Sequence, residues 1–429
     1  MAESLLNTAW EQLFEKYSIL DVVREHGNFI ITAKQIKEFR EPRLMTKFDH
    51  SENLPDIFKQ NDLSIMPISR NDFIISNHQM FSELKEINQE IIRVEFPNYI
   101  QSIVPAKITS EAIALNCAYL TGMLEDFLED EQIVPTVSGR MTSSKFSFKI
   151  LNTSTKNYDE ILVENSQIEI DGAYEGINSL SLVEAKRNIN TDFLIRQLYY
   201  PYRLWTSKVD KKVKVIYFVY SNDIFSFFEY QFDDSNKYNS LRLIKQKNYS
   251  LEDIAITFKD ITDISDKIEY VDEPEIPFPQ ADSFKRVINL CELINENEVT
   301  AEKITEEFEF DPRQTQYYTR AAMYLGLVDK YSDNKQIKYK LSSNGEKIIK
   351  MKYVQRQLEF VKLILSHKVF HILFVKYLRA GKQLSRKEVV EIMRDCNLYN
   401  IESDETFGRR ASTIISWINW IISIIQEWL

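Results

Sequence analysis

QIEIDGAYEGINSLSLVEAKRN, residues 167–188, contains two strand patterns joined by a turn. Asp171 ends the first pattern, and Glu184 and Lys186 lie on the second. Side chains two positions apart on a strand project from the same face, so Glu184 and Lys186 point together, and Asp171 on the neighbouring strand can reach the same place. The stretch therefore predicts two carboxylates and one ammonium group at the edge of a sheet.

Two carboxylates beside a lysine form a group that can hydrolyse a phosphodiester bond. Carboxylate oxygens bind Mg²⁺, the metal polarises the phosphate and acidifies a bound water, and the lysine orients that water or stabilises the developing charge. The alternative is an ordinary exposed strand edge with a Glu–Lys pair. The apolar residues around Glu184 in SLSLVEAK favour the first interpretation, because a charged group in a buried strand is costly unless something pairs with it.

Helix and strand patterns surround this stretch. ITSEAIALNCAYLTGMLEDFLEDE, residues 108–131, predicts one long helix with Ser110 as its N-cap. Strands are predicted for KFSFKI, ILVENSQIEIDGAY and SLSLVEAK, a helix for DFLIRQLYYPYRLW, and a buried strand for KVKVIYFVY. A helix, a strand meander, a helix and a further strand form an α/β sandwich core.

The order of these elements, with Asp171 in IEIDG and with Glu184 and Lys186 in VEAK, resembles the PD-(D/E)xK nuclease superfamily, and more specifically a type II restriction endonuclease. Ile170 stands where the name of the motif has proline. The resemblance covers roughly residues 105–235. It implies a Mg²⁺-dependent nuclease in which Asp171 and Glu184 hold the metal and Lys186 completes the catalytic set.

The resemblance also implies an acidic residue on the helix before the sheet. We prefer Glu111 to Glu125, because Glu125 lies in the acidic cluster EDFLEDE, which is typical of a solvated helix end. Glu169 shares the face of Asp171 and is an alternative ligand or a supporting partner. Gln197 lies on the helix after the lysine strand, where several nucleases of the superfamily place a glutamine close to the active site.

The length of 429 residues predicts several folding units. VDEPEIPFPQ, residues 271–280, holds three of the eleven prolines and predicts a linker. We therefore expect a multidomain α/β (α+β) protein, with these parts in chain order: an N-terminal α+β domain with a possible role in DNA recognition (1–104), the PD-(D/E)xK core (105–270), the linker, a winged-helix-like DNA-binding domain (281–352) and a helical, helix-turn-helix-like domain (353–429).

Three helix patterns and a β-hairpin pattern follow the linker, which is the order of a winged helix. The third helix carries side chains of types that reach DNA bases or phosphates, namely Arg313, Gln314, Gln316 and Arg320. The formal net charge of the chain is -11, yet residues 335–387 hold fourteen Lys or Arg against two Glu. Such a local basic segment favours a polyanionic partner. The alternative is a helical domain that contacts only proteins.

Other basic residues are candidates for contact with DNA. Arg40, Arg43 and Lys47 lie close together in the N-terminal domain, although they could instead pair with nearby carboxylates. The remaining candidates are Arg140 and Arg187 near the core, and Arg409 and Arg410 on the last helix.

Composition excludes several other classes of protein. Hydrophobic residues make up 44 %, which excludes disorder throughout the chain. Three cysteines fit neither a disulfide framework nor a Cys-rich zinc site, so we expect a cytoplasmic protein. The nine glycines form no phosphate-binding motif, so no nucleotide cofactor is expected. The apolar run TIISWINWIISIIQEWL is shorter than the ~20 residues of a membrane span, so no membrane is expected.

These features together predict a Mg²⁺-dependent, sequence-specific double-strand DNA endonuclease of the restriction type. We expect a homodimer, because cutting both strands of a palindrome usually requires two active sites. One alternative is a repair or recombination nuclease that reads DNA structure rather than sequence. Another is a DNA-binding regulator without catalysis, although the intact set of Asp171, Glu184 and Lys186 is evidence against it.

Overall fold

The computed structural model describes residues 5–87, 90–105, 107–296, 298–307, 312–333, 336–401 and 403–426. It is a mixed α/β structure with several domains, 41 % helical and 26 % strand, which confirms the predicted class at this level. Two compact units are present. The first consists of Met1–Asn88, Phe96–Tyr220 and Phe225–Asn248, and the second of Gln89–Glu95, Ser221–Ile224 and Tyr249–Leu429.

The first unit begins with a small α/β subdomain. Its helices are α1 Leu5–Lys16, α2 Ile19–His26, α3 Ala33–Ile36, α4 Pro42–Thr46 and α5 Asp56–Gln60, and its strands are β1 Asn28–Thr32, β2 Ser64–Pro67 and β3 Asp72–Ser76. The three strands form an antiparallel sheet in the order β1-β3-β2. Trp10, Phe14 and Phe58 are buried against one another edge to face, so this subdomain has a core of its own.

Most of the remaining first unit surrounds one large sheet. After β4 Phe81–Glu83 and the short β5 Ile91–Arg93 of the second unit, the elements are α6 Glu111–Leu120, α7 Met123–Leu128, β6 Val134–Thr142, β7 Phe146–Leu151, β8 Tyr158–Val163, β9 Gln167–Glu175, β10 Ser179–Lys186, β11 Asp192–Leu194, α8 Arg196–Thr206, β12 Lys212–Ser221, β13 Ile224–Phe232 and β14 Leu241–Ser250. Within the sheet, six strands follow the order β14-β13-β12-β10-β9-β6.

Strand β10 lies in the middle of this sheet. It is antiparallel to β9 and parallel to β12, and α8 forms the crossover between the parallel pair. Its first seven residues are all buried, which agrees with the near-continuous apolar run in its sequence. The strand thus carries Glu184 and Lys186 to its carboxyl end inside a covered sheet.

Two glycines shape the elements around β9: Gly122 ends one helix before the next begins, and Gly172 lets a helix pack closely on the sheet. The single helix predicted for residues 108–131 is two helices, because Gly122 has a φ of +75° between α6 and α7. Ser110 does cap α6, accepting a hydrogen bond from the Ile113 N–H. Gly172 in β9 lies where α6 approaches the sheet, and a Cβ there would stand 3.3 Å from Leu115 Cδ1. Glycine therefore permits the close packing of α6 beside Asp171.

The elements of the second unit that the structure describes continue from residue 249. These are α9 Phe258–Asp266, α10 Phe284–Glu296, β15 Val299–Thr300, α11 Ala301–Glu307, α12 Pro312–Tyr324, β16 Val328–Asp333, β17 Gln336–Leu341, α13 Ser343–Ile349, α14 Tyr353–Ser366 and α15 Lys368–Ala380, followed by α16 Arg386–Arg394 and α17 Asp404–Ser423. Strand β17 pairs with both β15 and β16 in a three-stranded antiparallel sheet. One hydrophobic core runs through the unit.

The segment 271–280, expected as a linker, is a packed part of this second unit. It has no helix or strand, yet Phe278 is buried and stacks on Phe370. The hydroxyl of Tyr324 donates to the Glu273 carboxylate. Proline thus removes regular structure from the segment without removing its apolar contacts, and the segment packs within the second unit.

Helix α17 is a core helix of the second unit. Trp417, Ile418 and Ile421 are buried, and the Trp417 indole N–H donates to the Ala281 carbonyl. In the part of the chain that the structure describes, no helix has the length and apolar character needed to cross a membrane.

Candidate active site

The side chains of Glu184 and Lys186 meet at the carboxyl end of β10, as the two-residue spacing predicts. Lys186 Nζ lies 2.9 Å from Glu184 Oε1. Glu184 is only 8 % exposed, and the Lys186 side chain is 14 % exposed. The pair is therefore largely withdrawn from water, where charge interactions are strong and unpaired charges are costly.

Asp171 lies beside this pair at the end of the β9–β10 ladder. The paired register runs to Val183 opposite Gly172, so Glu184 and Asp171 are the next residues on their strands. At this point Asp171 Oδ2 accepts a hydrogen bond of 2.7 Å from the Ala185 N–H. Burial raises the pKa of Asp171, while this hydrogen bond and Lys186 act in the opposite direction.

Gln197 supports Glu184 from α8. Its Nε2 donates to Glu184 Oε1 at 2.6 Å, and its Oε1 is buried without a hydrogen-bond partner. Burial raises the pKa of Glu184 to about 8, and Lys186 offsets only part of this shift. Glu184 is thus a carboxyl group whose ionised form requires more positive charge than the described side chains supply.

Asp49 is the residue at this site that sequence reasoning missed as a functional group. Its Oδ2 lies 3.0 Å from Lys186 Nζ, and the residue is 2 % exposed. Burial by itself would raise the pKa of Asp49, but Lys186 and Lys47 hold it well below its usual range. Asp49 lies more than 120 residues before the motif and follows no strand pattern, so no local signal marks it.

The neighbouring residues of Asp49 hold the segment that leaves β10. His50 Nδ1 contacts the Asp192 carbonyl at 2.5 Å, and Asn190 Nδ2 contacts His50 Nε2 at 2.6 Å. Both ring nitrogens of His50 therefore have hydrogen-bond partners. The Leu194 N–H donates to the Asp49 carbonyl at 2.9 Å. Asp49 therefore contacts Lys186, and Asp49 and His50 also contact the segment 190–194 between β10 and α8.

Glu111 is the acidic residue of α6 that lies within electrostatic reach of the site. Partial burial raises its pKa, Lys186 lowers it, and Asp171 raises it. Arg187 Nη1 donates to the Thr109 carbonyl at 2.7 Å, which joins the end of β10 to the start of α6. Glu125 lies on α7 and is exposed.

A groove of about 270 Å³ adjoins Asp171. Its lining comes from α6, β6 and β9 and includes Leu115, Asn116, Thr136, Ser138 and Asp171. The groove gives access from solvent to Asp171 in the middle of β9.

The chemistry of the donor set decides whether these residues suit Mg²⁺. Among the described residues, no three His, Cys, Asp or Glu side chains are arranged as a ready metal site. Three features nevertheless suit a hard cation: the carboxyl groups of Asp171 and Glu184, the raised pKa of Glu184, and the unpartnered Oε1 of Gln197. The residues present therefore fit a divalent cation that binds through carboxylate and amide oxygens, with further ligands from water or substrate.

Other predicted residues near the core have protein partners. Arg140 forms a 3.2 Å ion pair with Glu169, and both side chains are more than half exposed. Lys47 lies 3.9 Å from Asp49. Arg43 is exposed on α4, and Arg40 is half-buried. Glu38 and Glu41 pair with other lysines, Lys16 at 2.6 Å and Lys37 at 3.9 Å, respectively.

The predicted DNA-binding residues of α12 occupy one side of that helix. Arg313, Gln316 and Arg320 are exposed and recur at intervals of three and four, whereas Gln314 is half-buried. Thr315, Tyr318 and Thr319 are buried on the other side.

On α17, Arg409 forms a 3.3 Å ion pair with Glu405, and Arg410 donates to Gln280. Partial burial lowers the pKa of Arg410. Tyr317 raises this pKa, whereas Arg409 and Arg320 lower it further. Arg320 is therefore within electrostatic reach of Arg410. Because Arg410 is half-buried, Arg409 is the more accessible of that pair.

Three segments of the chain match family models, each described as a domain of unknown function. Residues 7–75 match DUF6996, residues 76–250 match DUF6997, and residues 286–426 match DUF7226. No curated protein and no solved structure matches the chain. The matches place the first boundaries at 75/76 and near 250, compared with the expected 104/105 and 270/271. Asp49 therefore comes from a different matched segment than Asp171, Glu184 and Lys186.

Proposed function

We propose that this protein is a Mg²⁺-dependent, sequence-specific double-strand DNA endonuclease of the type II restriction class. The observation that supports this most directly is the buried contact of Lys186 with Glu184 at the end of a central strand, with Asp171 beside it where the β9–β10 pairing ends. A carboxylate pair and an ammonium group held in this way suit phosphodiester hydrolysis better than stability alone, since buried ion pairs are weak stabilisers.

The arrangement of the sheet supports a PD-(D/E)xK core. Helix α6 precedes the strands, β9 and β10 are antiparallel neighbours that carry Asp171, Glu184 and Lys186, and α8 connects β10 to the parallel strand β12. This is the order of helix, strand hairpin, helix and strand that the sequence resemblance implies. Gln197, at the start of α8, contacts Glu184 as that resemblance also implies.

In this proposal Asp171 and Glu184 hold Mg²⁺, and Glu111 is a weaker candidate for a further contact. When bound, the metal would polarise the scissile phosphate and acidify a water. Lys186 carries its ammonium group beside Glu184, where it would orient the attacking water and stabilise negative charge on the phosphate. Gln197 would hold the Glu184 carboxyl group in one orientation through its 2.6 Å hydrogen bond.

Helix α12 and the hairpin after it support a winged-helix reader of DNA. Three helices, α10, α11 and α12, precede the β16–β17 hairpin, and α12 presents Arg313, Gln316 and Arg320 on its exposed side. Arg and Gln are residues that read base edges in a major groove, and Arg409 adds a charge suited to a phosphate. Lys330 and Lys340 are exposed on the hairpin.

A homodimer in the cytoplasm is the assembly and location that go with this proposal, because a palindromic site presents two scissile phosphates related by two-fold symmetry. Neither a membrane nor a nucleotide cofactor enters the proposed reaction.

The test is to incubate the purified protein with phage DNA, with and without Mg²⁺, and to sequence the fragment ends. We expect discrete, Mg²⁺-dependent fragments that share one terminal sequence. A smear, or cutting restricted to branched or nicked DNA, would replace the restriction proposal by a repair nuclease. DNA left intact under all conditions, but bound, would favour the non-catalytic regulator.

A further inference from the structure

Lys186 contacts a carboxylate that lies outside the nuclease motif. Its Nζ lies 2.9 Å from Glu184 Oε1 and 3.0 Å from Asp49 Oδ2. Charge-assisted hydrogen bonds to two carboxylates restrict the orientation of an ammonium group. Asp49 thus constrains the position of the amine together with Glu184.

We propose that Asp49 is a positioning residue for Lys186: its buried carboxylate, 3.0 Å from Nζ, holds the lysine amine at the end of β10 beside Glu184, where the proposed reaction needs it. This inference rests on the proposed function, and it adds a residue that lies outside the PD-(D/E)xK motif and in another matched segment of the chain. Asp49 is not proposed to touch the substrate.

The surroundings of Asp49 support a fixed position. Its backbone carbonyl accepts from the Leu194 N–H at 2.9 Å, and the next residue, His50, contacts Asn190 and the Asp192 carbonyl. The Ser51 N–H lies 3.2 Å from Asp192 Oδ1. Residue 49 is therefore held through its main chain and its neighbours, so its side chain has little freedom to follow a displaced lysine.

The energetics of the pair also favour a role beyond stability. Burying two opposite charges costs about as much solvation free energy as their attraction returns, and apolar replacements of such pairs are often as stable. A fold that needed only packing at this point would be served by apolar side chains. Asp49 gives instead a fixed anion that holds the Lys186 amine in place, including when Glu184 binds another group.

The first measurement compares Asp49→Asn and Asp49→Glu with the unchanged protein in cleavage of a plasmid with Mg²⁺. We expect Asp49→Asn to lower kcat by about 10- to 100-fold, the range seen when a supporting residue of a site is removed, and to leave KM within about twofold. Asp49→Glu retains the carboxylate and should keep more activity than Asp49→Asn.

Asp130→Asn is the matched control. Asp130 is also a buried aspartate of the first unit, and it accepts hydrogen bonds from Asn178 and Ser179 at the start of β10 without contacting Lys186. Thermal unfolding is recorded for every variant. If Asp130→Asn lost as much kcat as Asp49→Asn at equal loss of stability, Asp49 would be a structural residue and the proposal would be overturned.

The second measurement needs no cleavage. Reductive methylation of the metal-free protein, quantified by mass spectrometry, reports the accessibility of each lysine amine, with the exposed Lys145, which pairs with Glu164, as internal reference. We expect Lys186 to be methylated several times faster in Asp49→Asn and at its original rate in Asp130→Asn. Unchanged reactivity of Lys186 in Asp49→Asn would overturn the proposal whatever the activity.

The two measurements separate the two proposals. If the unchanged protein cuts no DNA, the proposed function fails, and the methylation rates alone decide whether Asp49 holds Lys186. If the unchanged protein cuts DNA and Lys186→Ala does not, a fully active Asp49→Asn would refute the positioning role and leave the nuclease proposal standing.

Discussion

The end of β10 and the exposed side of α12 use charged residues in opposite ways. At the end of β10, Lys186 lies within 3.0 Å of two buried carboxylates. On α12, Arg313, Gln316 and Arg320 are exposed at helical spacing. Low-dielectric surroundings make each contact at the strand end strong and directional, whereas water and salt screen the arginines of α12. The first region is thus suited to chemistry on one phosphate, and the second to a large polyanion.

The comparison predicts that substitutions at the end of β10 lower the cleavage rate more than substitutions on α12. Asp171→Asn should lower the cleavage rate by at least about 10³-fold, because it removes a charge that metal catalysis requires. Asparagine keeps the size of the side chain and can still accept from the Ala185 N–H, so the fold should survive. The measurement is plasmid cleavage with Mg²⁺ alongside a DNA-binding assay with Ca²⁺. Turnover at the original rate would show that the site has been assigned to the wrong residues.

Lys186→Ala should abolish cleavage as well and should also lower thermal stability. The substitution leaves Asp49 as a buried charge without its closest cation, which costs about 3–5 kcal/mol in comparable cases. The double variant Asp49→Asn/Lys186→Ala should recover much of that stability and none of the activity. Calorimetric unfolding of the single and double variants checks this, and additive losses would contradict the buried pairing.

A pH dependence follows from Glu184. Its folded-state pKa of about 8 is above that of an unfolded glutamate, so the folded protein binds an extra proton between these two pKa values. Stability contributed by the protonated group is present at low pH and is lost as pH rises toward about 8, at up to about 1.4 kcal/mol per pH unit. Urea unfolding of the metal-free protein at several pH values should show this slope.

Glu184→Gln is the control for the pH series, since it cannot ionise. The slope between about pH 5 and pH 8 should be smaller in this variant. Addition of Mg²⁺ to the unchanged protein should reduce the slope too and release protons, because the metal binds the ionised carboxylate. Equal slopes in the variant and the unchanged protein would mean that Glu184 is ionised throughout.

Gln197→Ala should have an intermediate effect. Removal of its hydrogen bond to Glu184 should raise the Mg²⁺ concentration needed for half-maximal cleavage by about tenfold, with a smaller change in the rate at saturating metal. Arg196→Ala, at the adjacent and half-buried position of α8, is the control for helix stability. An unchanged metal requirement would limit Gln197 to a packing role.

Single substitutions on α12 should have the smallest effects, and these should be on DNA affinity. Arg313→Ala and Arg320→Ala should each weaken DNA binding by a few fold and reduce the salt dependence of affinity by about one counterion, with cleavage at saturating DNA unchanged. Arg24→Ala, an exposed arginine of the first unit, serves as the control. Binding measured at several salt concentrations checks this, and unaltered salt dependence would exclude α12 from the DNA interface.

Much of the local structure followed from patterns in the sequence. The apolar run in SLSLVEAK predicted a buried strand, and Ser110 predicted a helix start, and both occur. The break at Gly122 was not predicted, and neither was the packing of Phe278, because periodicity does not show where a glycine takes a positive φ or where an irregular segment finds apolar contacts.

By itself the sequence determined the mixed α/β class and the meeting of Glu184 with Lys186, because a strand places side chains two residues apart on the same face. The resemblance implied a place near the site for Gln197 of the crossover helix, but only the tertiary structure brought Asp49 to that point from a separate subdomain. Their distances from Lys186 and Glu184 depend on how whole elements pack, and packing of elements far apart in the chain leaves no periodic trace in the sequence.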